Sequence, residues 1–265
     1  MNTLEYKMVD VLKELKEKHD AISARAEFEQ EGTKLEELLR MKEICMSADL
    51  GLTLKIGGCE SIRDMLEAKI VGVDYLVAPM VESAYALQKY LQAVSKLFTP
   101  DERQHTQILC NIETITALNN FDEMLHIPEL PLLQGIVIER VDVCFSLGKD
   151  ERCINDEDIN ALVAGVVKKA KTKNLSCTVG GGVSAHSLPF FASLPDGHLD
   201  RCETRKVCFD YMKGRSDNLA KGILKALAFE LLWLRNKLTY YEAITSQDRE
   251  RIGIIEDQYW KIIEA

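Results

Sequence analysis

The 265-residue chain is acidic: 42 Asp and Glu residues outnumber 33 Lys and Arg residues, and the formal net charge is −9. This balance argues against a nucleic-acid partner, because contact with phosphate backbones requires a basic surface. A hydrophobic fraction of 46% and a charged fraction of 28% are typical of a globular protein with a large core.

The sequence gives no sign of a membrane partner or of export. No apolar run approaches the roughly 18 residues that a spanning helix requires, and residues 1–7 lack the apolar segment of a signal peptide. We therefore expect a cytoplasmic protein. None of the eight cysteines forms a CxxC pair, and we expect reduced, mostly buried thiols, because five of them lie in or beside apolar runs: Cys110, Cys144, Cys177, Cys202 and Cys208.

The first half of the chain alternates between helix and strand patterns. Apolar residues at helical spacing predict a helix over 3–19, and alternating residues predict a strand over 21–27 that ends in an acidic loop. Thr33 and Glu36 have the spacing of a capping box and predict the start of a helix that ends near Ala48. Further strands are predicted at 52–56, 74–79 and 107–112, and further helices at 61–71, 83–96 and 114–123.

The second half continues this alternation. Strands are predicted at 135–138, 175–179 and 199–209, a loop at 143–148, and helices at 155–173, 185–192, 217–236 and 246–263. Alternation from residue 21 to residue 210 is typical of a parallel sheet with right-handed crossovers. The pattern predicts a (β/α) barrel over 1–215 and C-terminal helices over 216–265 that pack on the barrel or on a neighbouring subunit. Seven strands are counted, one fewer than a closed eight-stranded barrel needs.

Two acidic residues each follow an apolar strand pattern. Glu113 follows the strand that begins at Gln107, and Asp142 lies four residues beyond Ile138. The carboxyl ends of parallel strands meet at one mouth, so these carboxylates are candidates for holding a divalent cation through oxygen ligands. The alternative is that they stabilise helix starts, since Glu113 precedes a helix and suits its dipole.

The residues around these acids resemble a known family. Ile112-Glu113-Thr114 and the run from Arg140 to Gly148 resemble the metal-binding signature of the HpcH/HpaI aldolase and citrate lyase β-subunit family. The runs 55–64 and 77–82 resemble the ends of its third and fourth strands, and the similarity covers roughly residues 20–210. The resemblance implies a TIM-like (β/α)8 barrel. Because relatives begin with a strand and this chain begins with a helix, the missing strand is predicted to be the first.

The resemblance also implies a function. It predicts a divalent-metal-dependent carbon–carbon lyase, an aldolase or citrate-lyase-like enzyme that acts on a 2-keto acid or acyl-CoA thioester through a metal-stabilised enolate. Glu113 and Asp142 would hold Mg²⁺ or Mn²⁺. It further implies a homo-oligomer, because the last helix of relatives often docks on a neighbouring subunit. Open alternatives are a metal-dependent thioester hydrolase, a non-catalytic barrel that binds a small anion, and a Schiff-base aldolase that uses Lys55.

The sequence departs from the family at two places. Lys55 stands where the family usually has an arginine that clamps the substrate anion, and lysine keeps the charge without the two-pronged geometry. Gly57 and Gly58 follow it and leave room for a ligand. No histidine follows Glu27, where the family often has an acid and a histidine, so the candidate bases are Glu27, Glu29 and a metal-bound hydroxide.

Three further residues are candidates for binding an anion. Arg140 and Arg205 suit a phosphate, a carboxylate or a CoA-like group, although Arg205 is equally able to pair with Glu203 or Glu27 inside the barrel. Gly181, in the run Gly180–Gly182, is placed to present backbone N–H groups to an anion, but a tight turn explains this run equally well.

Overall fold

The computed structural model describes residues 1–213 and 217–263 and shows a closed barrel of eight strands in chain order. The predicted barrel is confirmed. Its strands are β1 (Ala21–Glu27), β2 (Gly51–Lys55), β3 (Tyr75–Ala78), β4 (Gln107–Asn111), β5 (Gly135–Glu139), β6 (Ser176–Gly180), β7 (Arg201–Glu203) and β8 (Val207–Asp210).

The last strand runs in the opposite direction to the others. Strands β1 to β7 pair in parallel, whereas β8 is antiparallel to both β7 and β1. The single strand predicted over 199–209 is therefore a hairpin of two strands, and the strand missing from the prediction is the last one and not the first. The turn at Thr204, Arg205 and Lys206 has no Gly, Pro, Asn or Asp, the residues that mark tight turns in a sequence.

The helices surround the barrel, apart from the extension of the last one. They are α1 (Thr3–His19), α2 (Leu35–Ser47), α3 (Ile62–Val71), α4 (Ala84–Leu97), α5 (Glu102–His105), α6 (Ile115–Met124), α7 (Arg140–Ser146), α8 (Glu157–Lys171), α9 (Leu188–Ser193) and α10 (Asp217–Ile263). Short 3₁₀ helices lie at Leu130–Leu132, Glu151–Asn155 and Ala185–Ser187.

Three local predictions were wrong. The stretch predicted as a loop over 143–148 mostly belongs to α7, and the two C-terminal helices are one continuous helix of 47 residues. At the start of α2 the N-cap is Lys34 and not Thr33, because the side chain of Glu37, not Glu36, accepts the backbone N–H of Lys34 at 3.0 Å.

The two faces of the strands differ in character. Residues that point outward, such as Leu54, Ile108 and Ile138, belong to the large apolar core between the barrel and the helices. Alternate residues point into the barrel, where a small separate apolar cluster contains Tyr75, Val77, Leu109 and Val137. Buried polar side chains occupy the inward positions closer to the mouth: Arg25, Glu27, Lys55, Asn111, Glu139 and Glu203.

Helix α10 packs along α1 in the opposite direction. His19 Nδ1 lies 2.7 Å from the carbonyl oxygen of Asn218, and at the other end of α1 the amide of Asn2 donates to Asn236 at 2.7 Å. Gly222 permits the close contact, because a Cβ atom there would lie 2.7 Å from the Cβ of His19. Five apolar side chains of α10 are buried against the rest of the chain: Leu219, Ile223, Ala226, Phe229 and Trp233.

The cysteines differ in one respect from the expectation of free thiols. Cys144 on α7 and Cys153 in the following 3₁₀ helix form a disulfide, and the other six are free. Their proximity was hidden in the sequence because α7 folds the chain back toward residue 153. Among the described residues, none of the helices is both long enough and apolar enough to cross a membrane.

Candidate active site

The mouth of the barrel contains a buried ionic cluster centred on Arg25. Arg25 lies on β1 two residues before Glu27, so both side chains point into the barrel. Its Nη2 atom lies 3.2 Å from Glu27 Oε1, 3.2 Å from Glu139 Oε1 and 3.0 Å from Glu203 Oε1. All four residues are at most 6% exposed. One guanidinium thus faces three carboxyl groups from three strands.

This cluster has too little positive charge for its carboxyl groups. Burial raises the pKa of Glu203 to about 8, and the neighbouring Glu139 carboxyl adds to the effect despite the opposing influence of Arg25. Burial works against the charge of Arg25 as well, yet the three carboxylates outweigh it and raise the Arg25 pKa. The surroundings of Glu203 therefore shift its carboxyl group toward the protonated form.

Lys55 extends the cluster toward the rim. Its Nζ lies 2.9 Å from Glu29 Oε2 and 3.8 Å from Glu27 Oε2. Burial opposes its charge, but the carboxylates of Glu27, Glu139 and Glu29 prevail and raise the Lys55 pKa. The lysine is therefore held as an ammonium ion at the mouth.

Glu113 follows β4 and is fixed by two donors. Its Oε1 accepts the backbone N–H of Met80 at 2.5 Å, and its Oε2 accepts the amide of Asn111 at 2.8 Å. Burial raises the pKa of Glu113 to about 7, although both hydrogen bonds and Lys55 act in the opposite direction. Met80 lies just after β3 and has a left-handed backbone, with φ of 54°.

Asp142 lies in the first turn of α7, beyond the end of β5, and is exposed at the rim. Partial burial raises its pKa, and the charge of Glu139 adds to this while Lys55 opposes it. Glu113 and Asp142 follow adjacent strands and are both influenced by Lys55 and Glu139. The structure therefore brings Glu27, Lys55, Glu113 and Asp142 to one mouth.

Arg140, by contrast, is directed away from this mouth. Its five N–H groups donate to neutral oxygens: the carbonyls of Gly180, Gly181 and Ile154, the Asn155 side chain and the Ser187 hydroxyl, at 2.9–3.2 Å. Burial lowers its pKa to about 10. All of its donors are occupied, so Arg140 holds loops together and has none left for a substrate anion.

The glycines have structural roles in this arrangement. A Cβ atom on Gly181, which has φ of +71°, would lie 2.5 Å from the backbone nitrogen of Arg140, so this glycine lets the loop pack against the start of α7. The N–H of Gly57 donates to Asp64 at 2.7 Å. Gly58 is half-buried and has a more open environment.

Arg205 lies on the turn between β7 and β8 and is partly exposed. It pairs with Glu31 at 3.2 Å and with Glu230 on α10 at 4.0 Å. The suggested pairing with Glu203 or Glu27 inside the barrel is wrong, because Arg25 occupies that position. Lys206, the next residue, is buried and also pairs with Glu31.

The sequence interpretation missed Arg25, Glu139 and Glu203. A signal was present, because Arg25 and Glu27 alternate with alanines in β1 and so share one face of the strand. The other two acids come from β5 and β7, more than 100 residues away, and no local pattern indicates that they meet.

Comparison with known proteins agrees with the barrel fold. The HpcH/HpaI aldolase/citrate lyase family model matches residues 55–180. This segment belongs to the HpcH/HpaI family. It contains Lys55, Glu113 and Asp142 and excludes Glu27, Gly181 and Arg205, so it is narrower than the similarity inferred over 20–210. No curated protein sequence matches the chain.

Solved structures share the fold of this chain. An HpcH/HpaI aldolase from Desulfitobacterium hafniense DCB-2 matches with a TM-score of 0.60 and 11% identity, over 75% of this chain and 82% of the other. The citrate synthase SbnG matches with a TM-score of 0.61 and 13% identity, over 87% and 89%. A family protein from Burkholderia cenocepacia J2315 matches with a TM-score of 0.56 and 11% identity, over 70% and 89%.

HpcH/HpaI proteins are typically dependent on a divalent metal ion, and the residues at the mouth suit one. No group of three His, Cys, Asp or Glu side chains arranged for a metal occurs within the described residues. Mg²⁺ does not need one, because it keeps several waters and binds through one or two carboxylates. Burial is the main cause of the raised pKa values of Glu113 and Asp142, and a bound cation would offset it by stabilising their charged carboxylates.

Proposed function

We propose that this protein is a divalent-metal-dependent carbon–carbon lyase that acts on a 2-keto acid or an acyl-CoA thioester. The observation that supports it most is the excess of acid at the mouth. Six carboxyl groups surround two cations there, Arg25 and Lys55, and the acids are Glu27, Glu29, Glu113, Glu139, Asp142 and Glu203.

Glu113 and Asp142 are the proposed ligands of Mg²⁺ or Mn²⁺. A bound ion would supply Lewis-acid stabilisation of the enolate that forms when a bond beside a carbonyl breaks. Met80 and Asn111 orient Glu113 before any ligand arrives, since each donates to one of its carboxylate oxygens. Oriented carboxylates of this kind bind a cation without the cost of ordering them first.

Lys55 is the proposed partner of the substrate carboxylate. Its ammonium group is held at the rim by Glu29, whose side chain is 35% exposed and thus free to move when an anion enters. The raised Lys55 pKa argues against the Schiff-base alternative, because an amine must lose its proton to attack a carbonyl. Arg140 and Gly181 act through loop packing in this proposal and do not contact substrate.

Titration calorimetry with Mg²⁺ and Mn²⁺, in the presence of pyruvate or oxaloacetate, tests the metal site. We expect the wild type to bind an ion and Asp142→Asn and Glu113→Gln to lose at least about 100-fold in affinity, more than the loss typical of residues that only orient a ligand. Asp150→Asn, in the loop after α7, is the matched control, because Asp150 is exposed and pairs with Arg152. Equal binding by all variants would contradict the proposal.

A keto-acid screen for carbon–carbon cleavage then separates the lyase from a non-catalytic barrel that binds an anion. The lysine at position 55, where the family usually has an arginine, is the observation that favours the second candidate, because lysine keeps the charge that attracts an anion but not the two-pronged geometry. Glu29→Gln should lower the KM for a keto acid if turnover occurs. Ion and anion binding with no turnover in either the wild type or Glu29→Gln would favour the non-catalytic barrel.

A further inference from the structure

The second half of α10 extends away from the rest of the chain. Residues 242–262 are all exposed, and we refer to them as the arm. Most helical stability in proteins comes from the packing of an apolar face, and the arm packs on no other element of its own chain among the described residues. The arm nevertheless carries large apolar side chains, including Ile252, Ile255, Tyr259 and Ile262, which are 48–78% exposed. A surface of this kind indicates a partner.

Most of the large exposed apolar residues of α10 follow a heptad repeat, and four of the described side chains lie outside it: Tyr240, Ile244, Ile254 and Trp260. Along the barrel the residues in the repeat are Leu224, Leu227, Leu231, Leu234 and Leu238, each 48–70% exposed. The spacing alternates between three and four residues, and the same register reaches the four apolar residues of the arm. This is the a and d pattern of a coiled coil. We call these nine residues the α10 stripe.

The α10 stripe faces away from its own barrel. The buried residues Leu219, Ala226 and Trp233 recur every seven residues at the c position, and Phe229 lies at f, on the side of the helix opposite to a and d. Contact with α1 therefore leaves the nine residues of the stripe exposed, whereas Tyr241, at the d position between Leu238 and Ile252, donates its hydroxyl to Glu37 of its own chain.

Charged residues beside the stripe indicate which partner covers it. In a parallel two-stranded coil, the g residue of one helix contacts the e residue five positions later on the other helix. Three pairs at this spacing have opposite charges: Glu230 with Arg235, Lys237 with Glu242, and Arg251 with Glu256, whereas Ile244 faces Arg249. Glu230 and Lys237 also contact Arg205 and Glu37 of their own chain, so the pair of Arg251 and Glu256, in the exposed arm, is the strongest indication. The stripe thus complements a second copy of itself. A membrane surface fits less well, because the arm has five acidic and three basic residues.

We propose that α10 forms a parallel, in-register coiled coil with α10 of a second copy of this chain. Thr245 and Asp248 occupy one a and one d position in the middle of the repeat. Polar residues at core positions fix register at a cost in stability, so they favour the aligned dimer over slipped pairings.

Cysteine crosslinking tests both the contact and its direction in the full-length protein. Leu234→Cys and Ile255→Cys place a thiol at d positions 21 residues apart. A parallel, in-register pair places each thiol next to the same residue of the second copy. We therefore expect both single variants to form covalent dimers under mild oxidation. An antiparallel pair has one crossing point and could link at most one of them. The wild type and Asp257→Cys, at an outward f position, are the controls and should stay uncrosslinked.

A charge exchange tests the recognition itself by sedimentation. Arg251→Glu places like charges at the proposed contacts and should raise the dimer dissociation constant about 5- to 10-fold. Adding Glu256→Arg should restore the wild-type value. Crosslinking of only one cysteine variant or of neither, a monomeric wild type, or no recovery in the double variant would each overturn the proposal.

Discussion

Two arginines are buried in this barrel, and their surroundings differ in charge. Arg25 faces three carboxyl groups from three strands, whereas Arg140 faces five neutral oxygens from the loops after β5 and β6. The Arg25 pKa is raised and the Arg140 pKa is lowered to about 10, although burial opposes the charge of both.

The difference separates a structural site from a reactive one. Carbonyl and hydroxyl oxygens do not titrate in the ordinary pH range, so we expect the hydrogen bonds of Arg140 to persist well below its pKa of about 10, although the charge of Glu139 also acts on it. The carboxyl groups around Arg25 exceed its charge, and a proton or a cation must balance them. Charge that varies with conditions is therefore concentrated at the barrel mouth.

The largest expected effects come from removing each arginine. Arg25→Met and Arg140→Met should each lower the free energy of unfolding by about 3–5 kcal/mol at pH 7, because each leaves buried polar groups without a partner. The loss of stability in Arg25→Met should shrink as the pH falls toward 5, because the buried carboxylates that no longer face Arg25 take up protons. The loss in Arg140→Met should stay constant. Urea unfolding at several pH values measures both.

Arg152→Met is the control for these two variants, because Arg152 is exposed and pairs with Asp150. It should change stability little. The same pH dependence in both buried variants would remove the proposed distinction between the two sites.

A smaller effect is expected for Glu203→Gln. The Glu203 pKa rises from 4.5 to about 8 on folding, so between these values the folded state holds a proton that the unfolded state releases. The free energy of unfolding that depends on the Glu203 proton is therefore greatest below pH 4.5. It falls between pH 4.5 and pH 8 by up to about 1.4 kcal/mol per pH unit. The variant should lose this slope and be more stable than the wild type at pH 8.

Chemical unfolding of Glu203→Gln across pH 5–8, beside the exposed control Glu123→Gln, provides the measurement. A slope unchanged from the wild type would mean that the carboxyl group around Arg25 that retains a proton is not Glu203.

The smallest expected effect is at Ser187, whose hydroxyl accepts one hydrogen bond from Arg140 at 2.9 Å. Ser187→Ala should cost about 1 kcal/mol, independent of pH, because one donor of Arg140 loses its acceptor. Thermal unfolding at pH 6 and pH 8 checks it, with the exposed Ser47→Ala as control. A clear pH dependence would show that the Arg140 site is coupled to titrating groups.

The sequence was sufficient to predict the barrel and the acids at its strand ends. The alternation of strand and helix patterns predicted the fold. Glu113 was visible because it directly follows an apolar strand pattern, and Asp142 because it lies four residues beyond the next one. The Arg25 cluster was not visible, since its members are adjacent only after the barrel closes. Arg140 was predicted to bind substrate from its position just after a strand. That position does not reveal that its side chain is directed toward the neighbouring loops.

Element boundaries failed where the sequence lacked a marker or carried a misleading one. The hairpin between β7 and β8 turns at Thr204 to Lys206 without a turn residue, so it was predicted as one strand. Helix α10 continues through Thr239, Tyr240, Tyr241 and Thr245, whose low helix propensity suggested a break.

The reversed direction of β8 determines where the end of the chain is found. In a barrel with eight parallel strands the chain would leave at the mouth. Here the chain leaves at the opposite end, beside His19. Helix α10 then runs along the outside of the barrel toward the mouth, where Glu230 contacts Arg205 and Tyr241 contacts Glu37 at the rim. The arm therefore rises roughly 30 Å beyond the rim. One short strand thus places any protein bound to the arm next to the entrance through which a substrate would pass.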